Sequence, residues 1–147
     1  MTTIQERVEM ARAGTHPTLI YRMPSGWAVL YDQQHLRGYT ILLPDPVVGS
    51  INDLDRAQRA AYLCDMVTIG DALLEMTDAF RINYAILGNT DPALHAHIVP
   101  RYLSEPDEFR KGPPWSYPKE VLGTRLFDPA RDGEFIARLA EAIQRHL

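Results

Sequence analysis

Residues 93–101 read Ala93-Leu94-His95-Ala96-His97-Ile98-Val99-Pro100-Arg101. Leu94, Ala96 and Ile98 alternate with His95 and His97, the period of a β-strand with one face on a core. Both imidazoles then emerge on the opposite face, about 6.6 to 6.8 Å apart along the strand. Histidine titrates near neutral pH and serves as nucleophile, acid, base or ligand. Two on one rigid face mark a candidate site.

Around this strand, Ala93 to Tyr102, the chain alternates turn signals with short apolar runs. Thr3 to Ala13 fits a short amphipathic helix, with Thr3 as cap and Glu6 three residues on. Thr18–Met23 and Trp27–Tyr31 read as strands joined through Pro24-Ser25-Gly26, and Tyr39–Leu43 as a third ended by Pro44 and Pro46. From Asn52 or Asp53 to about Asp78 the pattern is one long helix. Ala60, Leu63, Val67, Gly70 and Leu74 form its expected buried stripe, and Gly70 allows close approach to a sheet. Arg81–Leu87 is the fourth strand and residues 103–120, rich in proline, an irregular segment. Asp128 caps a last helix with Pro129 at its first position. Strands, a long helix, then strands without βαβ alternation predict an α+β domain: an antiparallel sheet with a long helix packed on it.

A chain of 147 residues that is 46% hydrophobic and 23% charged suits one globular domain spanning 1–147. Its core is expected over about residues 19–115 and its C-terminal helix over about 129–146. The net charge of −4 argues against nucleic acid as a partner, and no apolar run approaches the ~20 residues that span a membrane. The charged start, Met1 to Arg12, has no apolar signal-peptide core. Cys64, the single cysteine, excludes an internal disulfide and a thiolate zinc cluster, and a cytoplasmic location is expected.

Three readings compete for the paired histidines. They are structural; or they ligate a metal; or they act on a bound substrate. A metal needs a third donor, yet the nearest glutamate after His97 is Glu105, eight residues on. His16 and His35 have no spacing in their favour, so no metal and no cofactor are expected. Arg81 and Arg101 are expected as solvated side chains beside the sheet.

The third reading gains from a resemblance. Asn83-Tyr84-Ala85-Ile86-Leu87-Gly88-Asn89, Pro92 and then Leu94-His95-Ala96-His97-Ile98-Val99-Pro100-Arg101 resemble the signature of the histidine-triad family of nucleotide hydrolases and transferases. Asp32 followed by Gly38-Tyr39-Thr40-Ile41-Leu42-Leu43-Pro44 is similar to the family's ribose-contacting acid and its following strand. The resemblance runs from about Leu19 to Trp115. The sequence departs from the pattern where Ala93 stands for the first triad histidine, Tyr39 for an upstream histidine and Val47 near another. A histidine at 93 is expected to be tolerated on the polar strand face.

The resemblance implies a homodimer binding a purine nucleotide. It makes His95 the nucleophile on the α-phosphate of a dinucleoside polyphosphate or nucleoside phosphoramidate, through a covalent nucleotidyl-histidine, and His97 the phosphate-binding residue. Asp32, Asn83, Asn89, Ile20 and Leu30 are the expected nucleotide contacts. The alternative is a nucleotide-binding or sensing protein of the same fold without turnover.

Overall fold

The structure, a computed structural model, describes residues 3–147; the first two residues of the expected domain lie outside them. Helix α1 (Thr3–Ala13) places Ile4, Val8 and Ala11 on one buried face, and Thr3 is already helical rather than its cap. Five strands follow as β1 (Leu19–Met23), β2 (Gly26–Leu30), β3 (Thr40–Pro44), β4 (Arg81–Ala85) and β5 (Ala96–Arg101). They form one sheet in the order β1-β2-β3-β5-β4, antiparallel throughout. The α+β class expected from the sequence is the one observed.

Between β3 and β4 runs α2 (Arg56–Met76), opened by a reciprocal cap. The Asp55 carboxylate accepts from Gln58 N and the Gln58 amide oxygen from Asp55 N. Its large buried apolar side chains are Tyr62, Met66, Ile69 and Leu73. This corrects the predicted stripe, because Leu63, Val67 and Leu74 are 47%, 50% and 43% exposed. The helix carries two adjacent apolar stripes, and a 3.6-residue period alone does not say which meets the sheet. Gly70 does face the sheet: a Cβ there would stand 1.9 Å from the Tyr84 hydroxyl of β4.

After β5 come two single-turn helices, α3 (Asp107–Arg110) and α4 (Lys119–Leu122), then α5 (Pro129–His146). Asp128 caps α5 by accepting from Ala130 N at 3.0 Å. The sheet separates two cores. Ala28, Leu30, Leu42, Ala96 and Ile98 pack against α2 and α5 through Ile69, Leu73, Leu139 and Ile143. On the other face Val29, Ile41, Leu43 and Val99 pack with Ile4, Val8, Tyr39, Ala93 and Tyr117. A fully buried Leu or Ile contributes about 1.5 to 3 kcal/mol, so both faces are firmly held.

Arg101 is not solvated, as expected from the sequence, but 2% exposed. Its guanidinium donates to Glu105, to Asn83 Oδ1 (2.7 Å) and to the carbonyls of Gly112 (2.7 Å) and Phe109 (2.8 Å). Glu105 also accepts from Tyr117 Oη at 2.6 Å and Tyr102 N at 2.7 Å. This knot ties the proline-rich segment to the sheet. Among the described residues no helix is long and apolar enough to cross a membrane.

Candidate functional site

The alternation read from the sequence holds across residues 94–98. Leu94, Ala96 and Ile98 are at most 1% exposed in the helix-side core, and His95 and His97 point away from it. The ladder itself begins only at Ala96, because Leu94 N leaves the sheet to bond Val48 O at 2.8 Å. The two imidazole rings stand 5.1 Å apart, edge to face. Both line a cavity of about 580 Å³ with Arg7, Tyr31, Tyr39, Ile41, Leu87, Asn89, Asp91 and Trp115.

Hydrogen bonds give the two rings opposite tautomers. His95 Nδ1 lies 2.8 Å from Ala93 O. A carbonyl only accepts, so Nδ1 holds the proton and Nε2 carries a free lone pair. His97 Nδ1 lies 2.7 Å from the Tyr39 hydroxyl. Tyr39 is 5% exposed, and burial raises its phenol above the ordinary range. The phenol stays protonated, and His97 Nδ1 is the one acceptor its hydroxyl meets among the described residues; donation to it satisfies the buried O–H and leaves His97 with its proton on Nε2. Burial, and then the charge of His95, hold the His97 pKa down to about 4. His97 is thus a neutral N–H donor at pH 7, not an imidazolium. One ring offers a lone pair and the other a proton: a nucleophile beside an electrophilic support.

Neighbouring elements brace this pair. Asp91 accepts from Ile4 N at 3.0 Å through Oδ2 and from Ala93 N at 3.3 Å through Oδ1, docking α1 onto the loop before the histidines. His35 Nε2 donates to Pro114 O at 3.2 Å, next to Trp115, and the His35 ring lies 6.1 Å from that of Tyr39. Ala93 is 4% exposed and packed with Ile4 and Val8. The expected tolerance for histidine at 93 is corrected: the position faces a filled core, not the cavity.

The remaining predicted contacts divide. Asn89 lines the cavity. Asp32 does not line it, but its Oδ2 lies 2.9 Å from Nη2 of Arg7, which does. Asn83 does not reach the cavity, since its amide oxygen is taken by Arg101. Ile20 and Leu30 belong to the helix-side core, so neither can flank a base here. A one-residue step along the strand puts Val29 and Tyr31 on the cavity side instead. Sequence reasoning missed Tyr31, Arg7 and Asp91. Strand alternation could have found Tyr31, whereas nothing local links α1 to the histidines. Among the described residues no group of three His, Cys, Asp or Glu side chains forms a ligand set.

The sequence matches no protein-family model, and no curated protein matches it. Solved structures do resemble it. A histidine triad protein from Bradyrhizobium japonicum is 26% identical, with 87% of this chain and 88% of that one covered at a TM-score of 0.70. A histidine triad protein from Marinobacter aquaeolei is 19% identical over 100% and 99% of the chains, at a TM-score of 0.76. A hypothetical histidine triad nucleotide-binding protein from Sulfolobus tokodaii is 16% identical over 95% and 92%, at 0.68.

Proposed function

The chain has the histidine-triad fold, and on that premise we propose that it is a nucleotide phosphohydrolase or nucleotidyltransferase. The observation that carries this reading is the hydrogen bonding of the two rings beside one cavity, His95 Nδ1 with Ala93 O and His97 Nδ1 with Tyr39 Oη, from which opposite tautomers follow. His95 Nε2 attacks the α-phosphorus of a purine dinucleoside polyphosphate or nucleoside phosphoramidate. A P–N bond forms as the bond to the leaving group breaks, and the leaving group departs with that bond's electron pair. The charge gained by the imidazole is spread toward Ala93 O through Nδ1–H. His97 Nε2–H donates to a phosphoryl oxygen as charge builds on it. Water then attacks phosphorus, the P–N bond breaks, and the nucleoside monophosphate and a proton are released. No step requires a metal or cofactor.

Tyr31, Ile41 and Trp115 supply an apolar wall suited to a base; Asn89, which lines the same cavity, is assigned to the phosphate, and Asp32, beside Arg7, to the ribose. The second reading, a sensor that binds without turnover, draws on Ala93, where the triad histidine is lacking. Reaction with α-labelled nucleotides followed by an alkaline quench separates the two, since phosphohistidine survives alkali. Label retained on the wild type and absent from His95→Ala supports the enzyme. No label and no turnover across a nucleotide panel, with binding intact, leaves the sensor. Full activity in His95→Ala removes the nucleophile.

The assembly we propose is a cytoplasmic homodimer. β4 is a sheet edge, and beside it Leu63, Val67, Leu74 and Tyr84 stand exposed. An open ladder next to an apolar stripe is complementary to its own copy about a two-fold axis.

A further inference from the structure

A nucleotide's phosphate carries negative charge, and His97, its pKa held down to about 4, meets it with a neutral N–H rather than a cation. Among the described residues lining the cavity, Arg7 alone has a permanent positive charge. Arg7 reaches the cavity from α1, whose position is fixed independently of that side chain. Ile4, Val8 and Ala11 are buried beneath the helix, and Ile4 N is held by Asp91. The Arg7 side chain is 22% exposed, and its guanidinium pairs with Asp32, whose side chain is 54% exposed, at 2.9 Å. Exposed pairs of this kind are weak. A guanidinium fork matches phosphate oxygens bidentately, in stronger, charge-assisted bonds.

We propose that Arg7 is the phosphate-recognition side chain of this cavity and exchanges Asp32 for the ligand's phosphate. The inference rests on the nucleotide reading above and deepens it. The exchange has a second effect. Asp32 loses its partner as the phosphate arrives, and its free carboxylate is then an acceptor for the ribose hydroxyls. In the ligand-free state the two groups neutralise each other beside the cavity. Phosphate and ribose recognition are therefore coupled, and a nucleoside lacking phosphate has to break the pair with nothing to offer Arg7. The site selects ligands that bring both an anion and vicinal hydroxyls.

Calorimetric titration of adenosine, its 5′-monophosphate and inorganic pyrophosphate into wild type, Arg7→Gln and Asp32→Asn tests this. Arg7→Gln should weaken the monophosphate about 10- to 100-fold, the loss of a charge-assisted contact, and flatten its salt dependence. Adenosine should bind it no more weakly than it binds wild type. Asp32→Asn should tighten pyrophosphate several-fold and weaken adenosine. Equal weakening of nucleoside and monophosphate by Arg7→Gln, or none, overturns the proposal. If no nucleotide binds wild type, the nucleotide reading fails and pyrophosphate decides alone. Binding abolished by Arg7→Gln keeps the Arg7 anion site, while unaffected or absent binding removes it. Arg7→Lys keeps the charge without the fork; a monophosphate affinity between those of wild type and Arg7→Gln is expected. Should Arg7→Gln not fold, undiminished affinity in Arg7→Lys together with unchanged pyrophosphate binding in Asp32→Asn overturns the proposal.

Discussion

Replacing Arg101 by leucine removes the centre of the knot beneath the cavity wall. Its guanidinium, 2% exposed, serves Glu105, Asn83 and the carbonyls of Phe109, Arg110 and Gly112. Without it Glu105, 8% exposed, keeps the Tyr117 hydroxyl and Tyr102 N but loses its counter-charge. Stranding one member of a buried pair costs about 3 to 5 kcal/mol. At roughly 2 to 4 °C per kcal/mol for a domain of this size, the melting midpoint should fall by about 6 to 20 °C. Burial pushes the Glu105 carboxyl up, but bonds from Arg101, Tyr117 and Tyr102 outweigh it and hold the pKa below the ordinary value. In Arg101→Leu that pKa should rise, and adding Glu105→Gln should recover part of the lost stability. Urea unfolding followed by circular dichroism gives the loss, and acrylamide quenching in a Trp27→Phe background reports whether Trp115 has left its place. A loss under about 1 kcal/mol with an unchanged denaturant slope would refute the reasoning.

Tyr39→Phe removes the donor that fixes His97 without emptying the core. It should lower kcat about 3- to 10-fold, in line with a neutral hydrogen bond of about 0.5 to 1.5 kcal/mol, with KM little changed; steady-state kinetics on a phosphoramidate checks it, and unchanged kcat would release Tyr39 from the role. His16, His35 and His97 all have pKa values lowered by burial. The folded state binds fewer protons than the unfolded one, so their stability is complete above about pH 6.5 and declines toward about pH 4. Denaturation midpoints measured across that range should fall with acid, and a flat profile contradicts the burial of these rings. Val67→Lys on the outer face of α2 should convert the proposed dimer to monomer by light scattering, and a wild type that is monomeric at every concentration would sink the assembly.

The sheet and its histidines were legible because their signals are local. Alternation at 94–98 places His95 and His97 on one face, and Asp128 and Pro129 mark the start of the last helix by side-chain chemistry; the long helix, expected from Asn52 or Asp53, instead begins at Arg56 behind the Asp55 cap. What failed was the choice between faces. Leu63, Val67 and Leu74 have the same period as Tyr62, Met66, Ile69 and Leu73, and only tertiary packing separates them. Leu30 missed the cavity by a single step along the chain, to Tyr31, whereas neither neighbour of Ile20 in β1 lines it. Arg7, Asp91 and Tyr39 owe their roles to contacts spanning 25, 87 and 58 residues, distances over which a pattern along the chain says nothing.

Having one core on each side of the sheet gives this protein a simple arithmetic. In β2 to β5 odd-numbered positions look toward the cavity side, as at Val29, Ile41, His97 and Val99, and even-numbered ones toward the helices, as at Leu30, Leu42, Ile82 and Ile98. Only β1 breaks the count, where a register shift falls between Leu19 and Tyr21. A combinatorial library confined to the odd positions that line the cavity would therefore recut ligand preference and spare the helix-side core. One confined to even positions would harden the scaffold while leaving the pocket as it is, so the two properties can be evolved in separate rounds and then combined.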